Sequence, residues 1–182
     1  MARALLMLAP GFEEIEAIVV LDVLRRAKIE VVTASLDQHL VRGAHDLQVI
    51  ADALLSEVEE TLFDAVVLPG GEPGTTHLAA SQAVKNCLQN HHKAQKWVAA
   101  ICAAPRILES LGILQGKKAT SFPGTRPKLV SCEYVEVPVV VDGNVITSRG
   151  VGTALPFALE LVRVLQSDTV AQNLSERMVC TA

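Results

Sequence analysis

A chain of 182 residues with 50% apolar but only 3% aromatic side chains is long enough to bury a substantial core in a single domain over residues 1–182, and that core must be built from Val, Leu, Ala and Ile. The net charge of −4, with no long run of Lys or Arg and few rings for base stacking, excludes an electrostatic footprint for nucleic acid. No uncharged apolar stretch approaches the roughly 20 residues that span a bilayer, so a membrane is not an expected partner.

In chain order, Arg3 to Leu8 reads as a strand. Its apolar stretch is short and runs at once into Pro10-Gly11 and three glutamates, which is not the plan of a signal peptide. Glu14 to Arg26 has helical spacing through Ile15, Val19, Leu21 and Val23, and Ile29 to Ser35 reads as a second strand, making a right-handed βαβ unit. Residues 37 to 52 are mixed, with a turn at Gly43 and a short strand over Leu47 to Ile50. Ala65 to Leu68 is a third buried strand, ending in Pro69-Gly70-Gly71-Glu72-Pro73-Gly74. Ser81 caps a helix reaching Ala94, with Val84 and Leu88 on one face. Gly112 and Gly116 break the chain, and Thr120 to Lys128 reads as a loop. Two runs, Tyr134 to Val141 and Val145 to Ser148, face each other across Asp142-Gly143-Asn144 as a hairpin. A helix follows over Leu155 to Leu165, and Asp168 is positioned to cap a last one reaching about Met178. Strands alternating with helices predict an α/β fold on a mostly parallel sheet.

The chemistry gathers at Trp97 to Pro105. A strand buried on both faces stops at Cys102, two alanines follow, and Pro105 takes a first-turn position where its missing N–H costs nothing. That places Cys102 at a helix N-terminus, where unpaired amides and the macrodipole favour a thiolate; the plainer alternative is a small buried hydrophobe. Ligand sites of parallel sheets lie beyond the carboxyl ends of the strands, and two further features belong there. The Gly70-Gly71 loop lets backbone N–H groups approach a ligand. Of the three carboxylates at the first helix, Glu13 and Glu14 need only complement the dipole, whereas Glu16 falls inside the apolar part, where burial would raise its pKa. Cysteines at 87, 102, 132 and 180 show no metal-ligand or disulfide spacing, so a reducing cytoplasm is the expected setting and no structural metal is expected. Cys87, Cys132 and Cys180 are read as non-catalytic, and His39, His77, His91 and His92 as solvent-facing or structural.

Four segments in this order resemble the ThiJ/PfpI superfamily, and within it the DJ-one branch in its bacterial form. They are Leu8 to Glu16, Asp64 to Gly71, Ala99 to Pro105 and Thr147 to Thr153, and the resemblance that runs through them covers essentially the whole chain. The resemblance implies a flavodoxin-like sandwich, a homodimer, and a reactive Cys102 hydrogen-bonded to a protonated Glu16. It also implies an oxyanion hole made by the N–H groups of Gly71 and Ala103. The activities it implies are cofactor-independent glyoxalase or deglycase chemistry on small dicarbonyls and their adducts, or else peroxide sensing and chaperone behaviour through Cys102; the PfpI branch adds peptidases. Two departures matter. Ala103 stands where peptidase-like members place a histidine, so the usual activation of a cysteine peptidase is missing. Phe122 stands where human-like members carry another histidine. His45 lies near the place of an arginine in relatives and is a candidate pocket residue, its alternative being an ordinary surface histidine.

Overall fold

The computed structural model of the chain describes residues 1–180. Strand β1 (Arg3–Leu8) is followed by helix α1 (Glu14–Arg26) and β2 (Glu30–Ser35), the predicted βαβ unit. Next come β3 (Leu40–Arg42), β4 (Gln48–Ile50), β5 (Ala53–Leu54), α2 (Leu55–Val58) and β6 (Ala65–Leu68). Helices α3 (Gly74–Ala80) and α4 (Gln82–Lys93), strand β7 (Trp97–Ile101) and the six-residue α5 (Pro105–Ser110) lead to β8 (Lys118–Ala119). The chain closes with β9 (Glu133–Tyr134), β10 (Val139–Asp142), β11 (Val145–Ser148), α6 (Ala154–Leu165) and α7 (Asp168–Arg177).

Seven strands form one sheet in the order β10-β11-β7-β6-β1-β2-β5, parallel except for the edge pair β10–β11. Side chains alternate between its two faces, so each strand feeds two cores. Leu6, Leu8, Val67, Ala99, Ile101 and Ile146 pack toward α1, α6 and α7. Leu5, Met7, Val66, Leu68, Val98 and Ala100 pack toward α4 and α5. Both faces being covered explains why these strands read as unbroken apolar runs. Among the described residues no helix is long and apolar enough to cross a membrane.

Several elements differ from the sequence expectation, each for a local reason. The run Tyr134 to Val141 is not one strand. Tyr134 belongs to β9, which pairs in parallel with β8, and only β10 forms the hairpin with β11. Pro138 lies between the two pieces and has no N–H to give to a ladder. The last helix is capped one residue earlier than expected, by Ser167, whose hydroxyl accepts from the Val170 amide. Ser81 does cap α4, accepting from Val84 N–H. Within the region read as mixed, β3 and β4 form a small antiparallel hairpin. Helix α3 was not visible in the sequence: it begins at a glycine and carries two threonines, which have little intrinsic helix preference.

Candidate active site

Three chain segments meet at the carboxyl ends of β1, β6 and β7. From β7 the chain enters a turn in which Cys102 takes φ +65°, a conformation rare for a side chain with a Cβ and a mark of a strained functional position. The turn is fixed from both sides: Cys102 N–H donates to Ser148 O at 3.0 Å, and Phe122 N–H donates to Cys102 O at 2.9 Å. Helix α5 starts only at Pro105. Cys102 therefore sits three residues before the helix, not on its N-terminus as the sequence suggested, and the donors near its sulfur are the individual amides of Gly71 and Ala103.

The loop after β6 supplies the close approach. A Cβ on Gly70 would stand 2.6 Å from Cys102 Cβ and 2.8 Å from Glu16 Oε2, so only glycine fits between thiol and carboxyl. Gly71 adopts φ +89°, and a Cβ there would collide with the backbone of Phe12 and Glu13. The loop is pinned to the start of α1 by Glu13 N–H donating to Gly70 O at 2.9 Å.

Glu16 is fully buried. Its Oε2 accepts from Gly70 N–H at 2.7 Å, while Oε1 has no hydrogen-bond partner among the described residues. Its neighbour is the Cys102 thiol, which pulls the carboxyl pKa down. Burial pushes the Glu16 carboxyl up from 4.5 to about 7, against the pull of Gly70 N–H and the thiol and with a push from the Glu13 charge. The Cys102 thiol is pushed up to about 12, first by burial and then by the Glu16 carboxylate, with the Ala103 and Gly71 amides pulling the other way. The sequence expectation of a thiol acidified by a helix dipole is corrected here. Near neutral pH the thiol and carboxyl act as one unit that loses a first proton around 7 and holds the second far more tightly.

Cys102 opens onto a cavity of about 490 Å³ lined also by Phe122, Pro138, Arg149, Gly150, Val151, Gly152 and Thr153. Thr153 Oγ1 accepts from the amides of Arg149 and Gly150 and bonds Ser148 Oγ at 2.7 Å, holding this loop over the sulfur. Arg149 and Val151 were not assigned to the site from sequence, and Phe122 was noted only as standing where related members carry a histidine. The available signal was the glycine-rich loop following a strand at the carboxyl edge of the sheet.

The structure brings together Cys102, Glu16, Gly71 and Ala103 and places His45 elsewhere. The His45 imidazole is exposed, and its Nδ1 lies 2.9 Å from Glu14 Oε2; it does not line the cavity. Although burial works to raise Glu14, the ring and amide of His45 hold its carboxyl below the usual value. Glu13, Glu14 and His45 are the one grouping of potential metal-donor side chains found among the described residues. His45 Nδ1 faces both carboxylates, 2.9 Å from Glu14 Oε2 and 3.6 Å from Glu13 Oε2. The other histidines divide as solvent-facing or structural: His91 is buried, its Nε2 accepting from Phe63 N–H at 3.0 Å and its Nδ1–H donating to Cys87 O at 2.7 Å. Cys87 is buried beside it, and burial pushes its thiol up to about 12.

Comparisons with known proteins fit this geometry. The model of the DJ-1/PfpI family matches residues 2–164. Drosophila melanogaster protein dj-1beta is 42% identical over 97% of this chain and 96% of its own length, and its crystal structure superposes with a TM-score of 0.96 at 41% identity, covering 100% of this chain and 99% of that one. Oxidised Toxoplasma gondii DJ-1 superposes with a TM-score of 0.97 at 36% identity over the whole of both chains. A Pyrococcus abyssi protein named as a deglycase is 34% identical over 90% of this chain and 99% of its own. Arabidopsis thaliana DJ-1 homolog B is 45% identical over 88% of this chain, which spans only 37% of that longer protein. With the family model covering most of the chain and full-length relatives above 30% identity, the chain belongs to the DJ-1/PfpI family and has its flavodoxin-like α/β fold.

Proposed function

We propose that the protein is a cofactor-independent glyoxalase or deglycase of the cytoplasm, acting on small 1,2-dicarbonyls or their adducts. The observation that carries this reading is the buried Glu16 carboxyl, poised near pH 7 beside the Cys102 thiol, with one oxygen unpartnered among the described residues. A base with a pKa near the working pH both takes and returns a proton efficiently. As the Cys102 sulfur attacks the aldehyde carbon, its proton passes to Glu16 and the carbonyl electrons move onto oxygen. The oxyanion is held by the N–H groups of Gly71 and Ala103, which already converge on the sulfur. After protonation to the hemithioacetal, Glu16 carries the hydrogen of the first carbon to the second as a proton. The first carbon reaches the acyl level as the second becomes an alcohol, so no external oxidant or reductant is consumed. Water then hydrolyses the thioester and restores the thiol. The deglycase name of the Pyrococcus abyssi relative agrees with this class of chemistry. Lactate formation from methylglyoxal by wild type, Cys102→Ser and Glu16→Gln tests it; full activity in either variant refutes the mechanism.

A second reading, peroxide sensing by Cys102, is favoured by its opening onto a cavity and by the oxidised state named for the Toxoplasma gondii relative. Gain of two oxygens at Cys102 under mild peroxide, without dicarbonyl turnover, would select it. A homodimer belongs to the proposal as well. Ile15, Leu47, Leu40 and Ile50 are exposed apolar side chains on α1 and the β3–β4 hairpin, and light scattering at the mass of two chains is the expected result.

A further inference from the structure

Beside Cys102 the cavity is walled by Phe122, Pro138 and Val151. Phe122 is half exposed yet closely framed. Its backbone is tied to the elbow through N–H donation to Cys102 O at 2.9 Å. Its ring lies between two glycines: a Cβ on Gly124 would stand 3.2 Å from Cε1, and one on Gly150 would stand 3.8 Å from Cδ2 on the other edge. That same Gly150 position is 3.8 Å from Cys102 Sγ and 3.8 Å from Glu16 Oε1. The ring edge, the sulfur and the acid oxygen thus surround one point, and a substituent of a few atoms on a carbon bonded to sulfur reaches the ring. Pro138 and Val151 complete the wall. Against the ring, the proline and the valine a hydroxylated chain would give up water to apolar surface, whereas an alkyl or aryl group there removes apolar surface from water.

Resting on the thiol chemistry proposed above, we propose that Phe122, Pro138 and Val151 form an apolar subsite that selects α-oxoaldehydes bearing an alkyl or aryl substituent over small hydrophilic ones. Arg149 lines the same cavity, and among the described residues its side chain makes no hydrogen bond or ion pair within the chain, so a carboxylate-bearing substituent is the competing chemistry to be separated.

Two measurements on wild type, Phe122→Ala and Phe122→Leu test the subsite. The first is the ratio of kcat/KM for phenylglyoxal to that for glyoxal. It falls by about tenfold in Phe122→Ala, the scale on which one apolar wall discriminates, and less in Phe122→Leu. The second needs no turnover: the alkylation rates of Cys102 by N-phenylchloroacetamide, chloroacetamide and chloroacetate, each divided by its rate with free glutathione. Wild type favours the phenyl reagent, and Phe122→Ala loses that preference. Equal normalised rates in wild type, a preference for chloroacetate, or ratios unmoved by Phe122→Ala overturn the subsite. Phenyl selectivity in alkylation without any dicarbonyl turnover leaves the subsite standing and overturns the glyoxalase reading instead.

Discussion

Replacing Glu16 by glutamine tests the electrostatics of the site through folding stability, independently of turnover. The carboxyl titrates near 4.5 in an ordinary setting and near 7 in the folded chain. Because the folded pKa is raised, the folded state binds more protons than the unfolded one between these values. The stability associated with protonated Glu16 is complete below about pH 4.5 and is lost as pH rises through 7. The rise from 4.5 to about 7, at about 1.36 kcal/mol per pH unit, gives an eventual loss of about 3 kcal/mol, most of it complete by pH 7.5. Glutamine keeps an acceptor for Gly70 N–H and is uncharged at every pH. Urea unfolding at pH 4.5 and 7.5, at one protein concentration, should therefore show the variant gaining about 3 kcal/mol relative to wild type at the higher pH. Below pH 8 ordinary thiols stay largely protonated, so Cys102 adds little to this difference. A wild-type-to-variant difference that does not change with pH would refute the buried, proton-holding carboxyl.

Gly70→Ala forces a Cβ to within 2.6 Å of Cys102 Cβ; overpacking of this kind costs about 1–3 kcal/mol by chemical denaturation, and lactate formation should be abolished with the thiol displaced. His91→Leu leaves Phe63 N–H and Cys87 O without their partner and should cost about 2–4 kcal/mol at pH 7.5. Burial holds the His91 pKa down, so wild type loses stability as pH falls below about 6.5 and the gap to His91→Leu should narrow at pH 5, measured by urea unfolding. Phe157 is fully buried on the α6 face, and Phe157→Ala should lower stability by about 3–5 kcal/mol, with a matching fall in the thermal midpoint.

The amino-acid sequence by itself determined the repeating strand–helix plan. Buried parallel strands such as Ala65–Leu68 and Trp97–Ile101 are apolar on both faces, and α1 carries its own helical period between a Pro-Gly turn and a basic last turn. These signals are local, as are the Ser81 cap and the strand–cysteine–proline elbow. The pieces it did not show depend on partners far along the chain. The two-residue strands β8 and β9 exist only because they pair with each other, and α3 exists against its low helix preference because Leu78 is buried in the core beside Val84 and Leu88. At the site, residue types and order named Cys102, Glu16 and the glycine loop, since a carboxyl within an apolar helix face is visible in one dimension. The raised pKa of Glu16 was legible in that apolar setting, whereas the rise at the Cys102 thiol was not. Both are decided by burial in the folded chain, which outweighs the pull on the carboxyl of Gly70 N–H, 54 positions from Glu16, and compels thiol and carboxyl to share their protons. Of the wall at Phe122 the sequence showed only that a histidine of related members is replaced; its setting was hidden, because only the folded chain sets that ring against the Gly150 loop, beside a sulfur 20 residues earlier in the chain.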